Sequence, residues 1–185
     1  MTIPNILSVL RILLAPVFFG LVAYGNMVWA FWVFFVGGLT DGLDGFFARV
    51  LNQRSDLGII LDPVADKVFL SSSALALGIY GIIPRWVVIL FVARDAVLIS
   101  GVLLLKLIDC PIPVSPHVLG KVTTGFQVFY LGTAALALVG MPLPGALRFL
   151  EAGAVVMSLI SGGYYIHRGL TWVQKGKNGI GRIDR

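Results

Sequence analysis

Residues 12–40 read ILLAPVFFGLVAYGNMVWAFWVFFVGGLT, 29 consecutive positions without one Asp, Glu, Lys or Arg. A membrane-crossing helix needs about 20 mostly apolar residues. The stretch therefore exceeds one span, and Tyr24-Gly25-Asn26 supplies the turn chemistry that divides it between two. Residues 68–84, 96–105, 122–147 and 152–166 are equally free of the four charged types. Further breaks fall at Asn52-Gln53-Arg54-Ser55, Gly81-Ile82-Ile83-Pro84, Asp109 to Pro116 and Gly140-Met141-Pro142. The pattern predicts an all-α, polytopic membrane protein of six transmembrane helices, roughly 5–24, 27–50, 60–81, 85–107, 117–139 and 145–166.

Composition agrees. Of 185 residues, 58% are hydrophobic and 12% charged, and the mean hydropathy is +0.94. An ordinary soluble domain carries about 25% charged residues, and a globule this small could not hide so much apolar surface. A secreted binding module, a disordered chain and a nucleic-acid-binding domain are excluded, in spite of the net charge of +5. Cys110 is the single cysteine, which rules out an intramolecular disulfide and a cysteine metal cluster.

Lys and Arg set the expected orientation. With the N-terminus in the cytoplasm, that side holds Arg49, Arg54, Lys106, Lys121, Arg168, Lys175, Lys177, Arg182 and Arg185. The other side holds Arg85 and Arg148, so the positive-inside rule predicts N-in and C-in. Arg11 lies within the first apolar stretch and no basic region precedes it, which speaks against a cleaved signal peptide. A single domain is expected over 1–185, with 166–185 as a basic cytoplasmic tail, frayed and drawn to anionic lipid.

Five of the nine acids, Asp41, Asp44, Asp62, Asp66 and Asp95, fall inside these spans. A charge at the bilayer centre costs roughly 2.5–3.5 kcal/mol, so several together need compensation. Asp41 and Asp44 are three apart, and Asp62 and Asp66 four apart, so each pair shares a helix face. If the two helices are antiparallel neighbours, four carboxylates converge near the cytoplasmic surface. Oxygen-only ligands suit a hard cation such as Mg²⁺, Mn²⁺ or Ca²⁺. The spacing equally allows an ion or proton path, or a charge-paired interface with Arg49, Arg54 and Lys67. Gly42, Gly45, Ala48 and Gly58 leave room beside the acids, either for close helix packing or for a flat polar ligand.

Residues 41–66, DGLDGFFARVLNQRSDLGIILDPVAD, resemble the signature of the CDP-alcohol phosphatidyltransferases: D-x-x-D-G-x-x-A-R, eight residues, then G-x-x-x-D-x-x-x-D. Every specified position matches, from Asp41 to Asp66. The resemblance implies a membrane enzyme that displaces CMP from a CDP-linked lipid, with a pair of divalent ions, Mg²⁺ or Mn²⁺. It makes Asp41, Asp44, Asp62 and Asp66 the metal ligands and Asp66 also the catalytic base. It assigns Asn5, Gly45, Ala48, Arg49 and Gly58 to the cytidine diphosphate site, with Ser8 and Arg11 beside the nucleotide or lipid headgroup.

The opening TIPNILSVLRILLAP is similar to the phosphatidylglycerophosphate synthase and cardiolipin synthase branches of the family. Gly120-Lys121, Thr123-Thr124 and Gln127 fit both. Asp95 after Arg94 is more like the cardiolipin branch, since the other usually has Glu there. The expected donor is CDP-diacylglycerol. The first acceptor is glycerol 3-phosphate and the alternative is phosphatidylglycerol. Arg94 and Lys121 are expected to bind the acceptor phosphate, with Arg11 and Arg54 as further candidates; otherwise Arg94 pairs with an aspartate of the metal site and Lys121 snorkels. Family likeness further implies a homodimer, contact with anionic lipids, and a bacterial inner membrane with the site facing the cytoplasm.

Overall fold

The computed structural model describes the backbone of residues 3–50, 56–107 and 118–180, and the side chains of 5–41, 62, 64–101, 118–169 and 171. The described chain is all-helical: α1 Ile3–Ala23, α2 Met27–Val50, α3 Asp56–Ile79, α4 Arg85–Leu107, α5 Val118–Leu136 and α6 Pro144–Ile180, with a 3₁₀ turn at Ala137–Val139. Among the described residues, Asn5–Ala23, Val118–Val139 and Pro144–Gly169 are long and apolar enough to cross a membrane, and the Met27–Asp41 part of α2 is apolar as well.

The helices stop where the turn residues ask them to. Gly25, at φ 75°, lets the Asn26 N–H donate back to the Leu21 carbonyl at 2.8 Å and close α1. Gly81 repeats the closure after α3, with Ile82 donating to Leu77 at 2.8 Å. A residue with a Cβ would resist this left-handed backbone. The expected breaks at 52–55 and 109–116, and Cys110 within the second, lie outside the described residues. One boundary differs: α6 runs on to Ile180 instead of ending near residue 166. Between Ile166 and Gln174 there is no proline and only the single Gly169, which weakens a helix without stopping it.

The helices pack as two groups of three. In the first, α1 lies between α2 and α3 and packs extensively on both, while those two touch each other sparingly. α2 and α3 do meet directly, as their short connection leads one to expect, but α1 takes most of the contact that each makes. Phe18 of α1, Phe34 of α2 and Phe69 of α3 share the centre of this group, with successive ring centroids 5.8 Å apart. Gly37 lets α2 approach α3, since a Cβ there would stand 2.2 Å from the Phe69 ring. In the second group, α6 packs on α4 and α5. Thr123 donates to the Met157 carbonyl at 3.2 Å, and Gln127 to Ser158 Oγ at 3.4 Å.

Inside and outside are inverted relative to a soluble protein. Ser8, Arg11, Ser73, Arg94, Asp95, Thr123, Gln127, Ser158 and Ser161 are buried, while Trp29, Trp32, Phe35, Leu39, Phe129 and Phe149 are exposed. Small polar residues between helices and large apolar ones outside are what a hydrocarbon solvent selects. The Gly37 contact gives a direct test. Gly37→Ala should destabilise the fold by about 1–3 kcal/mol by overpacking against a ring that cannot retreat. Thermal melting in detergent should show this loss, and adding Phe69→Leu should return part of it.

Candidate functional site

The polar residues gather at one end of the bundle. The N-terminal halves of α1, α3 and α5 contribute Ser8 and Arg11, Asp62 to Lys67, and Gly120 to Thr124; the C-terminal half of α2 contributes Asp41, and the middle of α6 contributes Ser161 and Tyr165. Arg94 and Asp95 come from the middle of α4.

Arg11 holds the acidic side together. It is 2% exposed, and its Nη1 donates to Asp41 Oδ1 at 2.8 Å and to Asp66 Oδ1 at 2.6 Å. One turn earlier on α1, Ser8 donates to Asp62. The inserted helix thus touches three of the four signature aspartates from the same face, with Asn5 buried one turn before Ser8. A buried guanidinium needs counter-charge, and two carboxylates from different helices supply it. Arg11 therefore sits among the carboxylates and does not line the cavity where the acceptor phosphate was expected.

The same geometry tests the fit of a cation. Asp41 and Asp66 bring oxygens from α2 and α3 onto one positively charged point, an oxygen-only donor set of the kind a hard divalent ion takes. Among the described residues, no group of three or more His, Cys, Asp or Glu side chains surrounds such a point. Asp44, Gly45, Ala48 and Arg49 are on α2 and Gly58 on α3, with side-chain surroundings outside the description, and Arg54 is outside it altogether.

A second network adjoins the first. Lys67, next to Asp66 in the chain, donates to both carboxylate oxygens of Asp95, at 2.9 and 3.0 Å. Arg94 donates from Nη1 to Asp95 Oδ1 at 2.8 Å and from Nη2 to Ser161 Oγ at 2.9 Å. The side-chain directions of successive helical residues differ by about 100°, yet the long arginine folds back across that angle. Arg94 consequently pairs with its own neighbour, not with an aspartate of the signature, and Lys67 is likewise engaged away from the signature acids. Arg94 Nε is buried without a hydrogen-bond partner among the described residues.

Between the networks lies a cavity of about 420 Å³, lined by Asp66, Lys67, Arg94, Leu98, Gly120, Lys121, Thr124 and Tyr165. It brings the expected Arg94 and Lys121 into one space with Asp66. Lys67, Ser161 and Tyr165 are additional to the sequence-predicted site. Ser158, Ser161 and Tyr165 recur at steps of three and four along an otherwise apolar helix, a polar stripe that could have signalled them.

Helical order, an apolar exterior and a pocket of opposed charges are the features of an integral membrane protein with a polar cavity. The CDP-alcohol phosphatidyltransferase family model matches residues 1–161, and the chain belongs to that family. Its members generally use divalent metals. The chain is 33% identical over 175 residues to the Mycobacterium tuberculosis "Probable phosphatidylglycerophosphate synthase", covering 90% of this chain and 80% of that protein. It is 36% identical over 152 residues to the Homo sapiens "Cardiolipin synthase (CMP-forming)", covering 74% of this chain and 50% of that one. It is 38% identical over 136 residues to the Streptomyces coelicolor protein of the same name, covering 70% and 62%. The chain thus spans less than two thirds of several relatives' lengths.

Arg11 offers the stability test. Arg11→Met removes the charge shared by Asp41 and Asp66 and should cost about 2–3 kcal/mol, moderated by the partial exposure of Asp41. Arg11→Lys keeps the charge and should cost less. Thermal melting of the purified variants checks the order.

Proposed function

We propose that this chain transfers the phosphatidyl group of CDP-diacylglycerol to glycerol 3-phosphate, releasing CMP and forming phosphatidylglycerophosphate. One observation carries the reading: a single cavity brings Asp66 together with Lys67, Arg94 and Lys121, directly beside the Arg11-linked carboxylates. Asp66 accepts the proton of the acceptor's primary hydroxyl. The hydroxyl oxygen attacks the phosphorus that bears diacylglycerol, and a new P–O bond forms. The anhydride P–O bond breaks, and CMP leaves with the electron pair. Asp66 is the general base in this reading because, among the described residues, it is the carboxylate that lines this cavity.

Asp41, Asp44, Asp62 and Asp66 would hold two divalent ions, Mg²⁺ or Mn²⁺. Bound there, such ions would polarise the transferring phosphate and neutralise the leaving one. Asn5, Gly45, Ala48, Arg49 and Gly58 form the cytidine diphosphate site in this reading. Arg94 and Lys121 hold the acceptor's phosphate, and the unpartnered Nε of Arg94 leaves a donor for it. Arg54 remains a further contact of that site. Arg11 instead stabilises the carboxylates.

The proposed topology is six spans, N-in and C-in, as one domain over 1–185. Site residues at the starts of α1, α3 and α5, towards the end of α2 and in the middle of α6 support an up-and-down path that opens the cavity on one side of the membrane. The Lys and Arg distribution makes that side the cytoplasm. The donor then enters sideways from the inner leaflet of a bacterial cytoplasmic membrane with its tails in lipid. The basic end of α6 meets anionic headgroups, and the enzyme works as a homodimer.

The second reading, phosphatidylglycerol as acceptor with cardiolipin as product, is favoured by Asp95 following Arg94 and by the names of the human and Streptomyces relatives. Three cavity-lining cations favour the more highly charged phosphomonoester.

Asp66→Asn should abolish CMP release in a protein that still folds, although with a lowered melting temperature because Arg11 loses one of its counter-charges; normal turnover would remove its role as base. The acceptor is decided by offering the purified protein labelled CDP-diacylglycerol with glycerol 3-phosphate, phosphatidylglycerol, inositol phosphate or serine. Phosphatidylglycerophosphate should form only with glycerol 3-phosphate, and cardiolipin in place of it would establish the second reading.

A further inference from the structure

The cavity contains one polar group to which the expected acceptor site gives no task. Tyr165, on α6, lines the space with Arg94 and Lys121, and its hydroxyl has no hydrogen-bond partner among the described residues. Its ring is held edge-on to Tyr164, with centroids 5.7 Å apart at 79°. The ring has a fixed neighbour while its polar end is unused.

Gly120, on α5, shows what the hydroxyl faces. A Cβ built at Gly120 would stand 2.9 Å from Tyr165 Oη and 3.9 Å from Arg94 Nη2. The tyrosine hydroxyl therefore sits in the space that a side chain at position 120 would contest, the guanidinium approaches the same notch from another helix, and all three residues line the cavity. Lys121, the next residue on α5, is exposed and has no ion-pair partner among the described residues. Arg94 is held through Nη1 by Asp95 and through Nη2 by Ser161 and is 5% exposed overall, so its direction is fixed by bonds other than those to a ligand. Donors of this kind at one notch suit a tetrahedral anion, whose oxygens accept from several directions at once.

We infer that Tyr165 is an acceptor-contacting residue: its hydroxyl donates to the phosphate that Arg94 and Lys121 bind, in the notch left by Gly120. This rests on the acceptor-site reading above and adds a neutral donor to its two cations. A neutral hydroxyl adds direction without adding charge, so it favours a phosphate seated in the notch over one merely attracted to the cavity.

Steady-state kinetics of Tyr165→Phe test the inference, with CMP release measured separately against glycerol 3-phosphate and CDP-diacylglycerol. Losing a hydrogen bond to a charged phosphate should raise the KM for glycerol 3-phosphate about tenfold, while kcat and the donor KM stay within about twofold. Gly120→Ala, which places a methyl group in the notch, should raise the same KM and spare the same two parameters. An unchanged acceptor KM in Tyr165→Phe overturns the inference. So does a parallel shift of both KM values, which a packing role would produce. If Tyr165→Phe does not fold, Gly120→Ala decides by the same criterion. If the wild-type protein uses phosphatidylglycerol and not glycerol 3-phosphate, the acceptor reading fails by itself; the KM for phosphatidylglycerol in the two variants then decides Tyr165.

Discussion

The structure depends on one cation that cannot be left alone. Arg11 is almost wholly buried in a protein whose surroundings are apolar, and an uncompensated charge there would be costly. The two carboxylates that satisfy it come from α2 and α3, so α1 has to lie between them. Ser8 adds a third link, to Asp62. The acids need α1 as much as α1 needs the acids, since mutual repulsion would otherwise drive them apart. A requirement of electrostatics thereby sets the order in which the first three helices pack.

A second compensated group organises the other half. Asp95 takes bonds from Lys67 on α3 and from Arg94 on its own helix, and Arg94 reaches Ser161 on α6. Three helices meet through Asp95 and Arg94 together. Lys67 and Arg94 also line the cavity, so the interactions that hold the helices together fix the positions of groups facing a ligand. Stability and chemistry share the same atoms, and this explains why so many polar residues are kept in a membrane protein at some expense.

Much of this was legible beforehand. The breaks at Tyr24-Gly25-Asn26, at Gly81 and at Gly140 ended helices as expected, because glycine in a left-handed turn is a local requirement that needs no tertiary information. The signature aspartates and the pair Arg94 and Lys121 were equally visible, as charges in segments that should have none. What the chain did not disclose was partnership. Loop length puts α2 beside α3, but the close packing of α1 against both depends on contacts across the fold. Arg94 joined Asp95 because a flexible side chain overrides the angular separation of its helix position. Ser161 and Tyr165 passed unnoticed because one hydroxyl per turn hardly alters an apolar helix.

The place of α1 also bears on how the protein is made. A chain emerging from the ribosome presents its N-terminal segments first. Arg11 therefore leaves the ribosome before Asp41 and Asp66 do. Until α2 and α3 arrive, water and lipid headgroups are the only partners for its charge, which holds the start of α1 at the interface. The helix can settle to its final depth only when the carboxylates close around the guanidinium. Biogenesis and the completed site are thus linked through one ion pair, and the order of synthesis becomes part of how the fold is reached.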